Sequence, residues 1–287
     1  MKEMKCVSLV VPAYNEEESI KKVVNELKTL SKDVEIIVVD DGSTDGTYEA
    51  AQEIGAKVLK HPYNKGYGAA LKTGIENSKG NVICFFDADN QHRLEDLEEI
   101  LKYIDDYDAV IGMRTGESHI PLLRKPGKKI LSLVANYLSN HKIPDLNCGL
   151  RAFKREALAK CLHILPDGFS FSTTTTLAMY KMGYNVKWLP VTTKVRIGKS
   201  TVKQIKHGPE ILLLIVRIIT LFDPLKIFLP VSIFLIGGGL IYQVILIAFK
   251  GFHIVGGTIL SILAGILIFF FGILADQISA LRRERMQ

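Results

Sequence analysis

EIIVVDDGSTDGT, residues 35–47, sets an apolar run against an acidic turn and then against a helix start. Ile36 to Val39 are all β-branched, the composition of a strand covered on both faces. Asp40, Asp41, Gly42 and Ser43 are turn residues that stop it. Thr44 and Asp45 are N-cap types, and the spacing predicts a helix over Thr44 to Ile54. A buried strand that feeds a polar turn and then a helix is the building unit of a layered α/β sheet.

The same alternation extends outward. Upstream, Cys6 to Val11 is a short apolar strand closed by Pro12. A helix follows over Glu17 to Leu30, with Ile20, Val23, Val24, Leu27 and Leu30 on one face. Downstream come a strand at Lys57–Lys60, a helix over Tyr67–Ser78, a strand over Asn81–Asp87 and a fifth strand at Ala109–Gly112. Lys125 to Asn140 is amphipathic, with Ile130, Leu131, Leu133, Val134 and Leu138 apolar. Acidic turns recur where three strands end, at residues 12–16, 40–45 and 87–92. In an open parallel sheet, ligands bind beyond the carboxyl ends of the strands, so these turns form one candidate site.

Charge divides the chain. Residues 1–206 hold 30 basic and 26 acidic side chains; residues 207–287 hold 6 and 4. From Ile227 to Leu274 only Lys250 is charged. It lies in the break Lys250-Gly251-Phe252-His253 between apolar runs 227–249 and 254–274, each long enough to cross a bilayer. The short break makes a hairpin. Gly237, Gly238 and Gly239, and Gly256 with Gly257, are small residues of the kind that let membrane helices approach. Arg282, Arg283 and Arg285 follow the second run and by the positive-inside rule set both termini and the large N-terminal part in the cytoplasm. Pro209 to Phe222 reads as an interfacial amphipathic helix, preceded by Lys199, Lys203, Lys206 and His207. The expected domains are 1–206, a linker with the interfacial helix over 207–225, and the hairpin with its tail over 226–287. Cys6, Cys84, Cys148 and Cys161 are far apart with no CxxC pair, which suits reduced thiols. The formal charge of +6 has no basic aromatic stripe, so nucleic acid is not an expected partner.

PAYNEEESI (12–20), VVDDGSTDGT (38–47), NKGYGAALKTGI (64–75) and FFDADNQH (85–92) together resemble the family 2 glycosyltransferases of the A type. The last block, followed by NCGLRAFK (147–154), is similar to the dolichol-phosphate mannose synthase branch and its polyprenyl-phosphate glycosyltransferase relatives. The resemblance covers about residues 6–200 and implies a nucleotide-diphospho-sugar transferase A-type (Rossmann-like) domain. It implies inverting transfer of a hexose from GDP-mannose or a UDP-hexose to dolichyl or polyprenyl phosphate. A membrane polysaccharide synthase-like enzyme and a non-catalytic sugar-nucleotide-binding scaffold are the alternatives. No QxxRW block follows the acids, and the acids themselves are intact.

That chemistry builds negative charge on a leaving nucleoside diphosphate, which Mg²⁺ or Mn²⁺ neutralises. Both ions take carboxylate and water oxygens. Asp87, Asp89 and Gln91 alternate along the chain and would share one side if the backbone stayed extended. The resemblance gives Asp89 the direct metal contact, Asp87 a place near the ribose or metal, and Gln91 a helper role. Pro12, Tyr14, Glu16, Asp40 or Asp41, and Lys65 are the donor-nucleotide candidates. Glu16 is equally a helix N-terminal acid. A lipid phosphate is already anionic and needs cations rather than a base, and Arg holds it in a bidentate grip. Arg114, Arg124, Arg151 and Arg196, with Ser200, are the acceptor candidates, and Lys128 or Lys129 compete with Arg124. A structural Asp145–Arg151 pair is the alternative for Arg151. Homo-oligomerisation is left open.

Overall fold

The computed structural model describes residues 6–30, 34–115, 125–194, 216–217, 219–251 and 255–284. The chain divides into two compact units, 1–208 and 209–287.

The first unit is a seven-stranded sheet with helices on it. Its strands are β1 (Val7–Ala13), β2 (Glu35–Asp40), β3 (Lys57–Lys60), β4 (Val82–Phe85), β5 (Ala109–Arg114), β6 (Arg151–Lys154) and β7 (Val186–Val191). The helices are α1 (Glu17–Leu27), α2 (Thr47–Glu53), α3 (Tyr67–Glu76), α4 (Leu94–Tyr103), α5 (Lys125–Ser139), α6 (Arg155–Cys161) and α7 (Phe171–Lys181). The strand order is β3-β2-β1-β4-β6-β5-β7. The first four strands in that order are parallel, but β6 runs antiparallel to both β4 and β5. The sheet is therefore mixed, where the sequence pattern suggested a parallel one.

The core follows the apolar runs. Leu9, Val11, Val38 and Cys84 of the strands pack on Ile20, Val24 and Leu27 of α1 in one buried cluster. Chain order reverses between β1 and β4, with β2 and β3 to one side, so the loops after β1, β2 and β4 meet at one edge.

In the second unit, α8 (Leu225–Lys250) and α9 (Gly256–Glu284) stand five residues apart in the chain. Both are long and apolar enough to cross a membrane. Their large side chains, such as Phe234, Ile241, Phe249, Leu260 and Phe271, point outward. Among the described residues of the two helices, Ser232, Gly239, Thr258, Gly265, Gly272 and Ser279 are buried. Of the glycines singled out by sequence, only Gly239 meets the opposite helix, at Ile262; Gly237, Gly238, Gly256 and Gly257 face open space. The tighter contacts are Gly265 against Ile236 and Gly272 against Phe228. The expected interfacial helix lies mostly outside the described residues; 216–217 and 219–222 are helical.

Candidate functional site

The loops after β1 and β2 are sewn together by short polar side chains. Asn15 sits at φ 54°, and its Oδ1 accepts from Thr44 N at 2.8 Å. Asn15 N donates to Ser43 Oγ, Glu16 N to Thr47 Oγ1 at 2.8 Å, and Gly46 N to Glu17 Oε2. Asp45 Oδ1 accepts from Thr47 N at 3.1 Å. These bonds take up Thr44 and Asp45, so α2 starts at Thr47, three residues later than the sequence suggested. Pro12 is buried at the end of β1, Tyr14 is half-buried, and Glu16 is buried with Ser19 Oγ donating to its Oε2 at 2.9 Å.

The adjacent acids at the end of β2 have separate tasks. Asp41 Oδ1 lies 2.6 Å from His61 Nδ1 and accepts from Lys65 N at 2.9 Å; Oδ2 accepts from Gly66 N at 2.8 Å. His61 Nε2 continues to Thr73 Oγ1 at 2.9 Å. Asp41 thus ties the 61–66 loop and α3 to the sheet. Asp40 is fully buried; its Oδ1 accepts from Ser43 N, and its Oδ2 has no hydrogen-bond partner. A buried carboxylate oxygen without a donor is costly, and a ligand N–H is one way to satisfy it. The Lys65 ammonium lies over the exposed Tyr63 ring, 6.0 Å from its centroid.

After β4 the backbone turns at Ala88–Asp89, and Asn90 has φ 60°. Asp87, Asp89 and Gln91 therefore do not alternate along an extended strand as expected. Asp87 Oδ1 accepts from the Tyr67 hydroxyl at 3.1 Å, and Oδ2 lies 3.2 Å from His92 Nε2. An added Cβ at Gly149 would run into the Asp87 carboxylate, so only glycine lets the 147–149 segment back onto it. Burial alone would raise the Asp87 carboxyl. The bond and charge of His92, the Tyr67 hydroxyl and Arg114 outweigh it and hold the group below the ordinary carboxylate value. Asp89 is buried and its Oδ1 accepts from Gln91 N at 3.1 Å. No group of three or more His, Cys, Asp or Glu that could hold a metal is present among the described residues. Asp87, Asp89 and Gln91 lie within one turn of five residues and carry side-chain oxygens. Such an incomplete oxygen set suits a hard divalent ion whose other positions go to phosphate and water.

The arginines part company. Arg114, at the end of β5, grips Asp145 with Nε at 2.7 Å from Oδ2 and Nη2 at 2.9 Å from Oδ1. The pair raises Arg114; burial alone would lift Asp145, but Arg114 pulls it below the ordinary carboxylate range. The Asp145 partner is therefore Arg114, and the Asp145–Arg151 alternative is corrected. Arg151 is 1% exposed. It donates to Cys148 O, Leu146 O, Ser172 O and Thr176 Oγ1 at 2.6–2.9 Å, holding the 146–149 segment against α7. Its nitrogens face protein acceptors, so it supports the site rather than reaching for a ligand. Arg124, Arg196 and Ser200 lie outside the described residues, as do the side chains of Lys128 and Lys129. Lys194, two residues before Arg196 in the chain, donates its backbone N–H to Gln91 O at 2.8 Å and so lies at the loop after β4.

Tyr67, His61, His92 and Gly149 were not foreseen as site residues. Lone histidines without metal spacing carry little signal; position helped only for His92, one residue after Gln91. Cys84, Cys148 and Cys161 are buried and all four cysteines are free, with burial pushing Cys148 up to about 11 and Cys161 up to about 12.

Comparison with known proteins gives two family matches. Residues 8–162 match the model for glycosyl transferase family 2, and residues 223–281 match the GtrB C-terminal hairpin. A UDP-N-acetylglucosamine–dolichyl-phosphate N-acetylglucosaminyltransferase of Methanococcus voltae is 36% identical over 180 residues, 54% of this chain and 71% of that protein. An undecaprenyl-phosphate 4-deoxy-4-formamido-L-arabinose transferase of Pseudomonas fluorescens is 32% identical over 189 residues, 59% of this chain and 55% of that one. Among solved structures, glucosyl-3-phosphoglycerate synthase of Mycobacterium tuberculosis has the same fold. It superposes with a TM-score of 0.62 at 21% identity, over 76% of this chain and 80% of that one. Other structures of that enzyme contain UDP with Mn²⁺ or Mg²⁺.

Proposed function

We propose that this chain, which belongs to glycosyl transferase family 2, moves a hexose from a nucleotide-diphosphate sugar to dolichyl or polyprenyl phosphate at a membrane surface. The observation that carries the reading is one rim on which Asp40, Asp87 and Asp89 meet, in a chain that also ends in an apolar hairpin. The names of the archaeal and bacterial relatives support the acceptor class.

In this reading Asp40 Oδ2 accepts a base N–H, with Pro12, Tyr14 and Glu16 beside it, while Asp41 holds the loop that carries Lys65. Asp89, helped by Gln91 and with Asp87 next to the ribose, would hold Mg²⁺ or Mn²⁺. That ion supplies charge neutralisation to the departing diphosphate. The metal-bearing structures of the Mycobacterium enzyme support this choice. Arg114, steadied by Asp145, and Arg196 with Ser200 meet the lipid phosphate; Arg124, or Lys128 or Lys129, is the further cation. The phosphate is anionic at neutral pH and needs no general base; its oxygen bonds to the anomeric carbon in one in-line displacement as the bond to the nucleoside diphosphate breaks, which inverts that carbon. The basic residues Arg282, Arg283 and Arg285 support a cytoplasmic domain with both termini on that side by the positive-inside rule.

The test is incubation of membranes holding the full chain with labelled GDP-mannose, UDP-glucose or UDP-N-acetylglucosamine and a polyprenyl phosphate, followed by mass measurement. The expected product is a polyprenyl phosphate heavier by one sugar from one donor. Label appearing in polysaccharide, or in no lipid at all, would overturn the proposal.

A further inference from the structure

Phe169 is 52% exposed, on the segment between the 3₁₀ turn Leu162–Ile164 and α7. Its ring stacks on Tyr67, with centroids 5.8 Å apart and planes 15° from parallel. The Tyr67 hydroxyl in turn donates to Asp87. An aromatic face is thus held in water one side chain away from the carboxylate assigned to the ribose and metal.

The segment that carries Phe169 is fixed rather than draped. Ala69 N donates to Asp167 O at 2.9 Å, and Lys72 Nζ pairs with Asp167 Oδ1 at 2.7 Å. Gly66, at φ 108°, and Gly68 have no room for a Cβ because the carbonyls of Asp167 and Pro166 sit against them. The start of α3 and the 166–169 segment therefore present the Tyr67–Phe169 stack as one unit. Nothing in packing requires a phenylalanine there, since half of its surface meets solvent.

Resting on the donor reading above, we propose that Phe169 is the platform for the pyranose ring of the sugar being transferred. A pyranose has C–H bonds on its faces and hydroxyls around its rim, so it binds a flat aromatic surface bordered by polar groups. That is the surround here: Ser170 follows Phe169 directly, Asp167 precedes it by two residues, and Lys72 pairs with Asp167. An isoprenoid tail would call for apolar neighbours instead. Phe169 acts on the sugar and not on the nucleotide, which makes it a residue of sugar specificity.

The experiment is titration of the full chain in detergent with Mn²⁺ and, in turn, UDP, UDP-N-acetylglucosamine, GDP and GDP-mannose. For the nucleotide sugar that the native chain binds, Phe169→Ala is expected to loosen binding about tenfold, while the free nucleoside diphosphate changes by less than about twofold. Phe169→Trp is expected to keep the sugar affinity. Equal weakening of nucleotide and nucleotide sugar by Phe169→Ala would overturn the platform and leave a structural role. Unchanged donor affinity with a raised KM for polyprenyl phosphate would overturn it in favour of a lipid contact. A native chain that binds none of the four defeats the donor reading itself, and the platform with it.

Discussion

Two acidic turns build the rim, one after β2 and one after β4, and they use their paired carboxylates in opposite order. After β2 the outer acid is the brace: Asp41 takes His61, Lys65 N and Gly66 N, while Asp40, at the end of the strand itself, keeps a buried oxygen without a partner. After β4 the inner acid is the braced one, with Tyr67 and His92 on the two oxygens of Asp87 and the Gly149 backbone behind it. In the proposed reading the same residue type is structural at one position and ligand-facing at its neighbour. A DD or DxD pattern shows that a rim exists without showing which acid does which job.

The largest effect is expected from the metal-facing acid of the second turn. Asp89→Ala should lower sugar transfer at least about 10³-fold, because charge stabilisation of the leaving group is removed. Asp89 Oδ1 accepts from Gln91 N within its own turn, and the melting temperature of the variant, measured beside its activity, tells loss of the metal contact apart from unfolding. Excess chelator should abolish turnover, and added Mg²⁺ or Mn²⁺ should restore it. Near-normal transfer by the variant, or full activity in chelator, would break the division drawn between Asp87 and Asp89.

The first turn offers a sharper contrast, with smaller changes. Asp41→Ala leaves the buried His61 and two backbone N–H groups without their acceptor, a loss of about 2–4 kcal/mol of stability. Asp40→Asn keeps the shape but offers an amide to a donor N–H, so it should cost about 1 kcal/mol or less of stability and loosen nucleotide binding about tenfold. Thermal melting and nucleotide titration of both variants separate the roles. If Asp40→Asn melts as low as Asp41→Ala and binds nucleotide normally, the two acids have been assigned the wrong way round.

How far this contrast could be read from sequence depends on the kind of information involved. Strands β2 and β3 form around the apolar residues 36–39 and 58–59, and in β2, buried from Ile37 to Asp40, a strand covered on both faces has little freedom in its side-chain pattern. The meeting of the three turns was legible for the same reason. The antiparallel direction of β6 was not, since four residues carry no mark of direction. Nor was the parting of Arg114 and Arg151: both follow glycine-containing segments, and only the three-dimensional supply of carbonyls around Arg151 makes it structural. In the hairpin, composition announced the helices, but contact geometry chose Gly265 and Gly272 over the more conspicuous Gly237 and Gly238. Short-range pattern fixes elements, whereas the division of labour within a site is a long-range property.

The smallest expected effect tests whether bracing at the second turn is mechanical or chemical. Tyr67→Phe removes one hydrogen bond to Asp87 and keeps the ring on which Phe169 stacks. A single bond to a charged acceptor is worth about 1–3 kcal/mol in a buried setting, and His92 still holds the other oxygen. Burial and the nearby Asp87 charge hold the Tyr67 phenol well above its ordinary value, so it remains a donor throughout the neutral range. The loss should therefore be flat with pH between about 6 and 9. A fall in kcat of about threefold to thirtyfold, with KM for the nucleotide sugar nearly constant, is the expected signature of an Asp87 that is less well aimed. If KM rises instead while kcat holds, the hydroxyl touches the donor directly, and Asp87 must be steadied by His92 and the Gly149 backbone alone.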